Sequence, residues 1–552
     1  MRKLYYAILG FAFVIVTSVL TLDVQARGKK LTPEQMHEEL EITFQLLRDQ
    51  HPNFGFYRTE DEVAKSFKIA KEKMQEPIRR AKYFRILLLL VAQIRDGHTC
   101  LRASKSTYKK HFNLSFRTLP LVLTFHSEYA VLTQRYKGLK AGTRILSING
   151  NSIAELIKKL GAFTCMDGLV KDAVIHSMNR RFPWLYFLAF GSTKTYQLVV
   201  ENPDGSKKEI SLRGTRSSKT TSKYQKRFSR TKNFLKTSWE ESTKTYYISV
   251  SSFDVKRKLF EKKIREMFEV IESRNTQNLI LDLRNNPGGR QSNSRYLLSY
   301  LAKRSFIFPR CDHATGTTLK ALAKVKPKEL FKKGDPSPIE GANARVALMK
   351  KIRLHTKVVP QGILVSNSST TRAKHAFRGR IHVLINGGTF SAASDLAGYL
   401  EEYSNAIFYG SQMGGMPLRN CSLPKYVYEL PYSKFELSVA WFCSLRKNNK
   451  HAHRLQPDVP FIDTEPDSFK KDRLLALVKQ RIEVAMYPAV PKSKPLSISF
   501  PNKPLSQLFE DKYGNRNKKR KEPNKLPLRT QTGIPVPTPK PLSLQFKESY
   551  RS

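Results

Sequence analysis

Residues 383–395 read VLINGGTFSAASD, an apolar strand pattern that runs into a glycine turn and then into a helical pattern. Ser391 stands at this junction, where the turn presents its hydroxyl for chemistry. Upstream, residues 279–289 read LILDLRNNPGG, a second strand pattern that also ends in a glycine turn. Together the two segments predict a nucleophile, Ser391, and an oxyanion hole.

The oxyanion hole is predicted from backbone N–H groups. Gly288 or Gly289 is one candidate donor, because a glycine turn without side chains leaves its N–H groups free to face an oxyanion. The other is Ala392, which follows Ser391 at the start of the predicted helix, where the helix dipole favours negative charge. Taken alone, the Asn-Pro-Gly-Gly sequence is equally typical of a plain turn after a strand.

The composition is that of a large globular protein with an unusual charge. The chain has 552 residues, 40% of them hydrophobic and 11% aromatic, which excludes a disordered chain overall. It carries 97 Lys and Arg against 46 Asp and Glu, a formal net charge of +51. This charge favours anionic envelope polymers or lipids as partners, or it reflects a lysine-rich proteome. Nucleic acid is disfavoured, because the basic residues are spread over every region and an export signal precedes them.

The first 26 residues have the pattern of a signal peptide. Arg2 and Lys3 precede an apolar run, and small residues stand where a signal peptidase cleaves, so we expect cleavage after Ala26. An uncleaved membrane anchor is the alternative, since the apolar run approaches the length that spans a bilayer. Either way the sequence predicts export to the periplasm, the cell envelope or the extracellular space.

The five cysteines are too few and too scattered for a disulfide-scaffold protein, and none pairs at a metal-ligand spacing. One disulfide is possible in an exported chain, and at least one thiol would then be left over. Cys421 and Cys443 could flank a hairpin and pair, or they could be unpaired and buried. The sequence implies no metal and no organic cofactor.

Residues 30–115 have apolar residues at helical spacing and predict an N-terminal helical domain. Residues 96–99 read DGHT and are expected to end its last helix, with Gly97 as the helix stop. His98 in this segment is a candidate general base for Ser391. Two further histidines, His375 and His382, remain alternatives.

Residues 116–215 alternate apolar and polar side chains in short runs, which predicts a β-rich domain. Asn149-Gly150 is a tight-turn signal. The run AGTRILSING at residues 141–150, followed by a helical pattern, resembles a PDZ domain. Such a module would gate or present peptide substrates.

The remaining chain is predicted to contain a linker, a core and a tail. Residues 216–238 are rich in Ser, Thr, Lys and Arg and predict a mobile basic linker. Residues 239–485 alternate strand and helix patterns, which predicts an α/β core with a basic insertion at about residues 306–380. Residues 486–552 are rich in Pro and Lys without periodicity and predict a disordered tail.

Four motifs in this order resemble the superfamily of C-terminal processing peptidases and tricorn-like serine peptidases: the DGHT segment after a helical domain, the PDZ-like run, the Asn-Pro-Gly-Gly turn and the Phe-Ser-Ala-Ala-Ser-Asp helix start. The resemblance covers roughly residues 31–463. It implies a multidomain α+β protein with a helical N-terminal domain, a PDZ-like β domain and an α/β core like that of ClpP and the crotonases.

Processing peptidases of this superfamily pair the serine with a lysine twenty-five residues later. In this chain that position is Met416, and no lysine occurs before Lys425. The tricorn-like branch uses a histidine from the segment that matches residues 96–99. The resemblance therefore implies a secreted or periplasmic serine endopeptidase with Ser391 as nucleophile and His98 as general base.

Two aspartates are candidates for the acid that orients the histidine. Asp395 lies one helical turn after Ser391, and Asp458 stands where related chains carry an acidic residue. Where related loops often read Gly-Glu-x-Thr-Gly-Gly, residues 410–415 read GSQMGG. Because the acid and the threonine are missing, the alternative is a catalytically inactive peptidase-like protein that binds peptides or anionic envelope components.

Overall fold

The computed structural model describes residues 30–104, 107, 116–227, 233–313, 363–417, 419–445, 455–463 and 471–486. The predicted signal peptide, residues 314–362 of the predicted insertion and the predicted tail after residue 486 lie outside the described residues. The described part is a mixed α/β structure. None of its helices is both long and apolar enough to cross a membrane.

The helices, in chain order, are α1 (Pro33–Gln50), α2 (Glu60–Lys73), α3 (Arg80–Ala92), α4 (Ile153–Gly161), α5 (Lys171–Phe190), α6 (Ser217–Arg227), α7 (Arg257–Ser273), α8 (Gln291–Leu301), α9 (Ala392–Tyr403) and α10 (Arg473–Met486). The strands up to the core are β1 (Lys30–Leu31), β2 (Ile78–Arg79), β3 (Cys100–Ala103), β4 (Arg117–Thr118), β5 (Leu123–Phe125), β6 (Ala130–Leu132), β7 (Arg144–Ile148), β8 (Asn151–Ser152), β9 (Thr195–Glu201), β10 (Lys207–Arg213) and β11 (Thr215–Arg216). Those of the core are β12 (Leu235–Glu240), β13 (Thr245–Val250), β14 (Asn278–Asp282), β15 (Phe306–His313), β16 (Ile363–Thr370), β17 (Arg380–Ile385), β18 (Ile407–Gly410), β19 (Arg419–Glu429), β20 (Phe435–Leu445) and β21 (Val459–Pro460).

Helices α1, α2 and α3 lie within residues 30–115, where the apolar spacing predicts helices. Helix α1 begins with a capping box, in which Thr32 and Gln35 exchange backbone-to-side-chain hydrogen bonds, and α2 begins in the same way. Helix α3 is apolar on nearly every side and is buried along most of its length. It ends at Ala92, so the prediction that Gly97 stops this helix is wrong; the tight contacts of Gly97 are described below.

The region predicted to be PDZ-like contains an antiparallel sheet in the order β10-β9-β7-β6-β5. Asn149 and Gly150 both have positive φ, 50° and 73°, as a tight hairpin turn requires. Helix α5 was not predicted. Its apolar residues lie on several sides and Pro183 interrupts it, which hides the helical period. The identity of this region as a PDZ-like domain stays a prediction.

The predicted mobile linker is wrong for most of its described length. Helix α6 occupies residues 217–227, and the hydroxyl of its buried Tyr224 accepts a hydrogen bond from the backbone N–H of Leu123 at 3.0 Å. Strand β12 then pairs with β13. One buried tyrosine therefore anchors a segment whose composition otherwise resembles a linker.

The core is a six-stranded sheet in the order β12-β13-β14-β17-β18-β21, parallel except for β12. Alternate residues of its strands enter two apolar clusters. Leu279 and Leu281 pack with α7, α8 and α9, whereas Ile280 packs with α10. The sheet is thus covered by helices on both faces, and the ends of its strands carry the loops.

A second sheet has the order β16-β15-β20-β19, and β3 pairs with β20. The two ends of the predicted insertion, β15 and β16, are therefore part of this sheet. Cys421 and Cys443 face each other across β19 and β20 and form a disulfide, and a second disulfide joins Cys100 to Cys165. The described residues thus form two disulfides, and one of them joins Cys421 and Cys443, the pair that the sequence left open.

Candidate active site

Three neighbouring parallel strands direct their loops to one edge of the core sheet. Strand β14 leads into the glycine turn, β17 into the Ser391 turn, and β18 into residues 411–416, which we call the 411–416 loop. In parallel sheets the carboxyl ends of the strands form the binding crevice. The topology therefore places the nucleophile between the two glycine-rich segments.

Ser391 has a strained backbone. Its φ and ψ are 55° and −125°, a backbone conformation that residues with a Cβ rarely adopt. Ser391 directly precedes helix α9, so the N–H of Ala392 is the first of that helix and has no acceptor within it. The strained turn presents the hydroxyl beside the positive end of a helix.

The glycine turn packs directly against Ser391. A Cβ on Gly288 would lie 2.7 Å from both the carbonyl oxygen of Phe390 and the Cβ of Ser391, so no side chain fits there. The Gly288 N–H already donates to Oδ1 of Asn286 at 2.9 Å. The Gly289 N–H has no hydrogen-bond partner among the described residues. Of the two glycines that the sequence left open, Gly289 is the better donor for an oxyanion.

His98 lies against Ser391. Its Nε2 is 3.1 Å from the Ser391 Oγ, and its ring stacks on that of Phe390 with 4.9 Å between the ring centres. A Cβ on Gly97 would come within 2.4 Å of the Phe390 ring, so glycine is required for this close approach. Thr99 then accepts a hydrogen bond from the Ala440 N–H at 3.0 Å, which fixes the segment to β20.

Asp96 is the carboxylate next to His98. One of its oxygens, Oδ1, accepts the His98 backbone N–H at 2.6 Å and lies 3.7 Å from the His98 Nδ1. The other, Oδ2, is 2.7 Å from Nε2 of His51, whose Nδ1 accepts the Asn53 N–H at 3.1 Å. Neutral His51 therefore carries its proton on Nε2 and donates it to Asp96.

Asp96 is suited to remain ionised although it is only 3% exposed. Burial raises the pKa of Asp96, but the hydrogen bond from His51 and the proximity of His98 lower it by more, so the pKa lies well below its ordinary value. The Nδ1 of His98 is buried and has no other partner among the described residues. A proton on Nδ1 would face Asp96 and leave Nε2 free to act as a base.

A second buried carboxylate, Asp167, lies on the other side of this segment. Its Oδ1 accepts the Gly97 N–H at 2.9 Å, and its Oδ2 accepts the Met416 N–H at 3.1 Å. Burial, and after it the charge of Asp96, raises the pKa of Asp167 to about 7. Asp96, Asp167 and His98 each offer one atom within 4.8 Å of the others. Because each carboxylate oxygen already accepts an N–H, we assign them no metal.

Residues 244–461 match the family model of peptidase family S41. The chain carries an S41 peptidase domain. It is a serine-type peptidase, as the resemblance to processing and tricorn-like peptidases predicts. Among curated proteins, none matches the chain in sequence.

Solved structures show the same fold. Mature CPAF complexed with lactacystin is 14% identical, with a TM-score of 0.58, and the alignment covers 82% of this chain and 98% of that one. A serine-to-alanine mutant of CPAF is 13% identical, with a TM-score of 0.60 and coverages of 84% and 99%. Tricorn protease is 12% identical, with a TM-score of 0.33 and coverages of 82% of this chain and 37% of its own.

The S41 domain places the other histidine candidates away from Ser391. His382 lies on the face of the sheet that α10 covers, where its Nδ1 is 3.1 Å from the hydroxyl of Tyr409. Burial lowers the pKa of His382 to about 4. His375 is hydrogen bonded to Glu272. Of the three histidines, the structure brings only His98 to the nucleophile.

For neither predicted acid is the described hydrogen-bond partner His98. Asp395 accepts hydrogen bonds from Gln291 at 3.2 Å and Asn420 at 2.8 Å. Asp458 accepts the Phe408 N–H at 2.7 Å. Helical spacing placed Asp395 near Ser391 correctly, but its side chain lies in a polar contact between α8 and β19. The acid that sequence reasoning missed, Asp96, lies inside the DGHT segment itself.

The 411–416 loop packs behind the nucleophile of the S41 domain. A Cβ on Gly415 would lie 3.0 Å from the Ser391 backbone nitrogen, and the Gly415 N–H donates to Thr389 at 3.1 Å. Met416, at the position of the dyad lysine in processing peptidases, is buried, and its sulfur accepts a hydrogen bond from the Tyr57 hydroxyl at 2.7 Å. This position holds an apolar packing residue and offers no base.

Proposed function

We propose that the chain is an exported serine endopeptidase that cleaves polypeptides through an acyl-enzyme on Ser391. The observation that carries this proposal is the distance of 3.1 Å between the Ser391 Oγ and the His98 Nε2, at the loop edge of an S41 peptidase domain. Nucleophile and base within hydrogen-bond reach are what acyl transfer requires.

His98 acts as the general base and then as the general acid. Its Nε2 takes the proton from the Ser391 hydroxyl while Oγ attacks the peptide carbonyl carbon. The imidazolium then gives this proton to the leaving amine as the C–N bond breaks, which leaves the acyl-enzyme. A water molecule, deprotonated by His98 in the same way, then attacks the ester carbonyl carbon. As the bond between this carbon and Oγ breaks, His98 returns the proton to the Ser391 Oγ.

Two backbone donors hold the tetrahedral oxyanion. The Ala392 N–H lies at the start of α9, and the Gly289 N–H follows the tight contact between Gly288 and the serine turn. Neither N–H donates a hydrogen bond to an acceptor among the described residues, so both can face the developing negative charge without reorganisation. Loss of one such donor costs about 100-fold to 1,000-fold in rate.

Asp96 orients His98 and stabilises its protonated form. When His98 becomes an imidazolium, the proton on its Nδ1 faces Asp96 Oδ1, now 3.7 Å away. Catalytic hydrogen bonds are often long in the free enzyme and shorten when substrate binds. Because the hydrogen bond from His51 helps to keep Asp96 ionised, the pair stabilises the imidazolium that forms in the transition state.

Export and attachment to an anionic surface complete the proposal. The signal-peptide pattern of residues 1–26 supports a periplasmic, envelope or extracellular location, and the net charge of +51 supports binding to anionic envelope polymers or lipids. Attachment by charge must weaken as salt rises. Envelope binding that does not change between low and high salt would contradict this part.

The function is tested by hydrolysis of casein by the mature chain and by Ser391→Ala. Turnover by the wild type that Ser391→Ala abolishes would support the endopeptidase. If the folded wild type hydrolyses neither casein nor other unstructured proteins, the proposal fails. The catalytically inactive binding protein would then be the better interpretation.

A further inference from the structure

We propose that Asp167, assisted by Asp172, is a positioning residue that holds the base and the loop behind the nucleophile in register. This inference rests on the proposed function. We call Asp167 and Asp172 the aspartate brace. Both lie outside residues 244–461, which match the peptidase family model.

Asp167 joins two parts of the site that have no direct covalent connection. Through Oδ1 it holds the Gly97 N–H, one residue before His98, and through Oδ2 it holds the Met416 N–H in the 411–416 loop. It is 4% exposed, so water does not compete for these hydrogen bonds. A single carboxylate therefore fixes the distance between the base segment and that loop.

Asp172 holds the same loop at its other end. Its Oδ2 accepts the Gln412 N–H at 3.1 Å. The backbone around it also packs on the Ser391 turn, since a Cβ on Gly387 would lie 2.1 Å from the Asp172 carbonyl oxygen. The brace thus contacts the 411–416 loop at Gln412 and Met416, while Gly415, between them, backs the Ser391 nitrogen.

The aspartate brace holds the 411–416 loop, which lacks residues that are common at these positions in related chains. The loop has neither the glutamate and threonine of related chains nor the dyad lysine, which Met416 replaces. Two carboxylates that each accept its backbone N–H groups fix it from outside.

A disulfide reinforces the brace on the base side. Cys100, two residues after His98, is bonded to Cys165, two residues before Asp167. The segment that carries the brace is therefore tied to the segment that carries the base by one covalent bond and by the Gly97 hydrogen bond. These two links restrict the position of His98 relative to Asp167.

The inference is tested with Asp167→Asn, Asp167→Ala and Asp172→Asn in the mature chain, with Asp204→Asn as control. Asp204 lies in the exposed turn between β9 and β10. Melting temperature checks that each variant folds, and kcat and KM are measured on a casein-derived peptide. A displacement of about 1 Å near the reacting groups costs about 100-fold in rate.

We expect kcat to fall about 100-fold in Asp167→Ala and about 10-fold in Asp167→Asn, whose amide oxygen still accepts one N–H, with KM changing less than about threefold. Asp172→Asn should lose less, and Asp204→Asn should lose nothing. Folded Asp167 variants with the wild-type kcat, or a loss confined to KM, would overturn the inference. If Asp167→Ala does not fold, the kcat and KM of Asp167→Asn decide whether the inference stands. Failure of the proposed function is distinguishable, because the wild type itself would then not turn over.

Discussion

The nucleophile side and the base side of the active site are held by different means. On the nucleophile side, backbone hydrogen bonds and glycine contacts fix Ser391, such as that from the Phe390 N–H to the Asn286 carbonyl at 3.0 Å. On the base side, His98 depends on the carboxylates of Asp96 and Asp167, which contact groups 45 and 70 residues away in sequence. Substitutions that change only a side chain should therefore affect the base side and the nucleophile side differently.

The largest effect is expected from Asp96→Asn on the base side. An amide cannot stabilise the imidazolium by charge, and its NH2 group would meet a donor at either His98 or His51. We expect kcat to fall about 1,000-fold or more. The measurement is kcat on a casein-derived peptide.

Asp458→Asn is the matched control, because Asp458 is exposed and accepts the backbone N–H of Phe408 in β18. Its kcat should stay within about threefold of the wild type. Equal losses in the two variants would remove the distinction between Asp96 and the acid proposed from sequence.

On the nucleophile side, Gly288→Ala should break the site through the backbone. The added Cβ would stand 2.7 Å from the Phe390 carbonyl oxygen and from the Ser391 Cβ, so the glycine turn must move and take the Gly289 N–H with it. We expect a fall in kcat of about 100-fold. Gly205→Ala, also at positive φ but with open space around it, is the control and should keep the wild-type kcat.

A smaller effect on rate is expected from His51→Phe. The substitution leaves the Asp96 carboxylate buried without its partner on Oδ2, which should lower the free energy of unfolding by about 3 kcal/mol. The rate should fall about 10-fold, because Asp96 keeps its contact with the His98 N–H. Urea unfolding and kcat measure the two effects, and an unchanged free energy of unfolding would contradict the proposed hydrogen bond.

Much of the nucleophile side could be predicted from the sequence, because it is local. An apolar strand, a glycine turn and a helix start fix Ser391 within a dozen residues, and α9 begins at Ala392, where the pattern predicts. The base side could be predicted only through the DGHT segment. His51 and Asp167 are single polar residues without a periodic or motif signal, and only the folded chain brings them to Asp96 and Gly97.

The sequence patterns fail to predict helices α5 and α6 for the same physical reason. Helix α5 and helix α6 were missed because tertiary burial, by several faces of α5 and by Tyr224 of α6, stabilises segments whose local pattern favours neither. The orienting acid was sought by helical spacing and by position near the end of the core. It lies instead two residues before His98, where the turn itself folds the carboxylate back onto the histidine.

The last expected effect concerns the dependence of stability on pH. The pKa of Asp167 is raised to about 7 in the folded chain, so its contribution to stability is fully present below the unfolded pKa of about 3.9 and is lost as the pH rises toward 7. Asp167→Asn cannot ionise. The free energy of unfolding of the variant minus that of the wild type should therefore rise between about pH 4 and pH 7 and then stay level, as urea unfolding would show. A difference that does not change with pH would contradict the raised pKa.

The most direct test of the account is the rate at which a fluorophosphonate labels Ser391 in the mature wild type, in His98→Ala and in the control His375→Ala, with the labelled residue found by mass spectrometry. If His98 activates Ser391, the wild type and His375→Ala label at Ser391 at similar rates, and His98→Ala labels at least about 100-fold more slowly. Equal labelling in His98→Ala, or labelling at a different serine, would contradict the claim that His98 and Ser391 form one catalytic site.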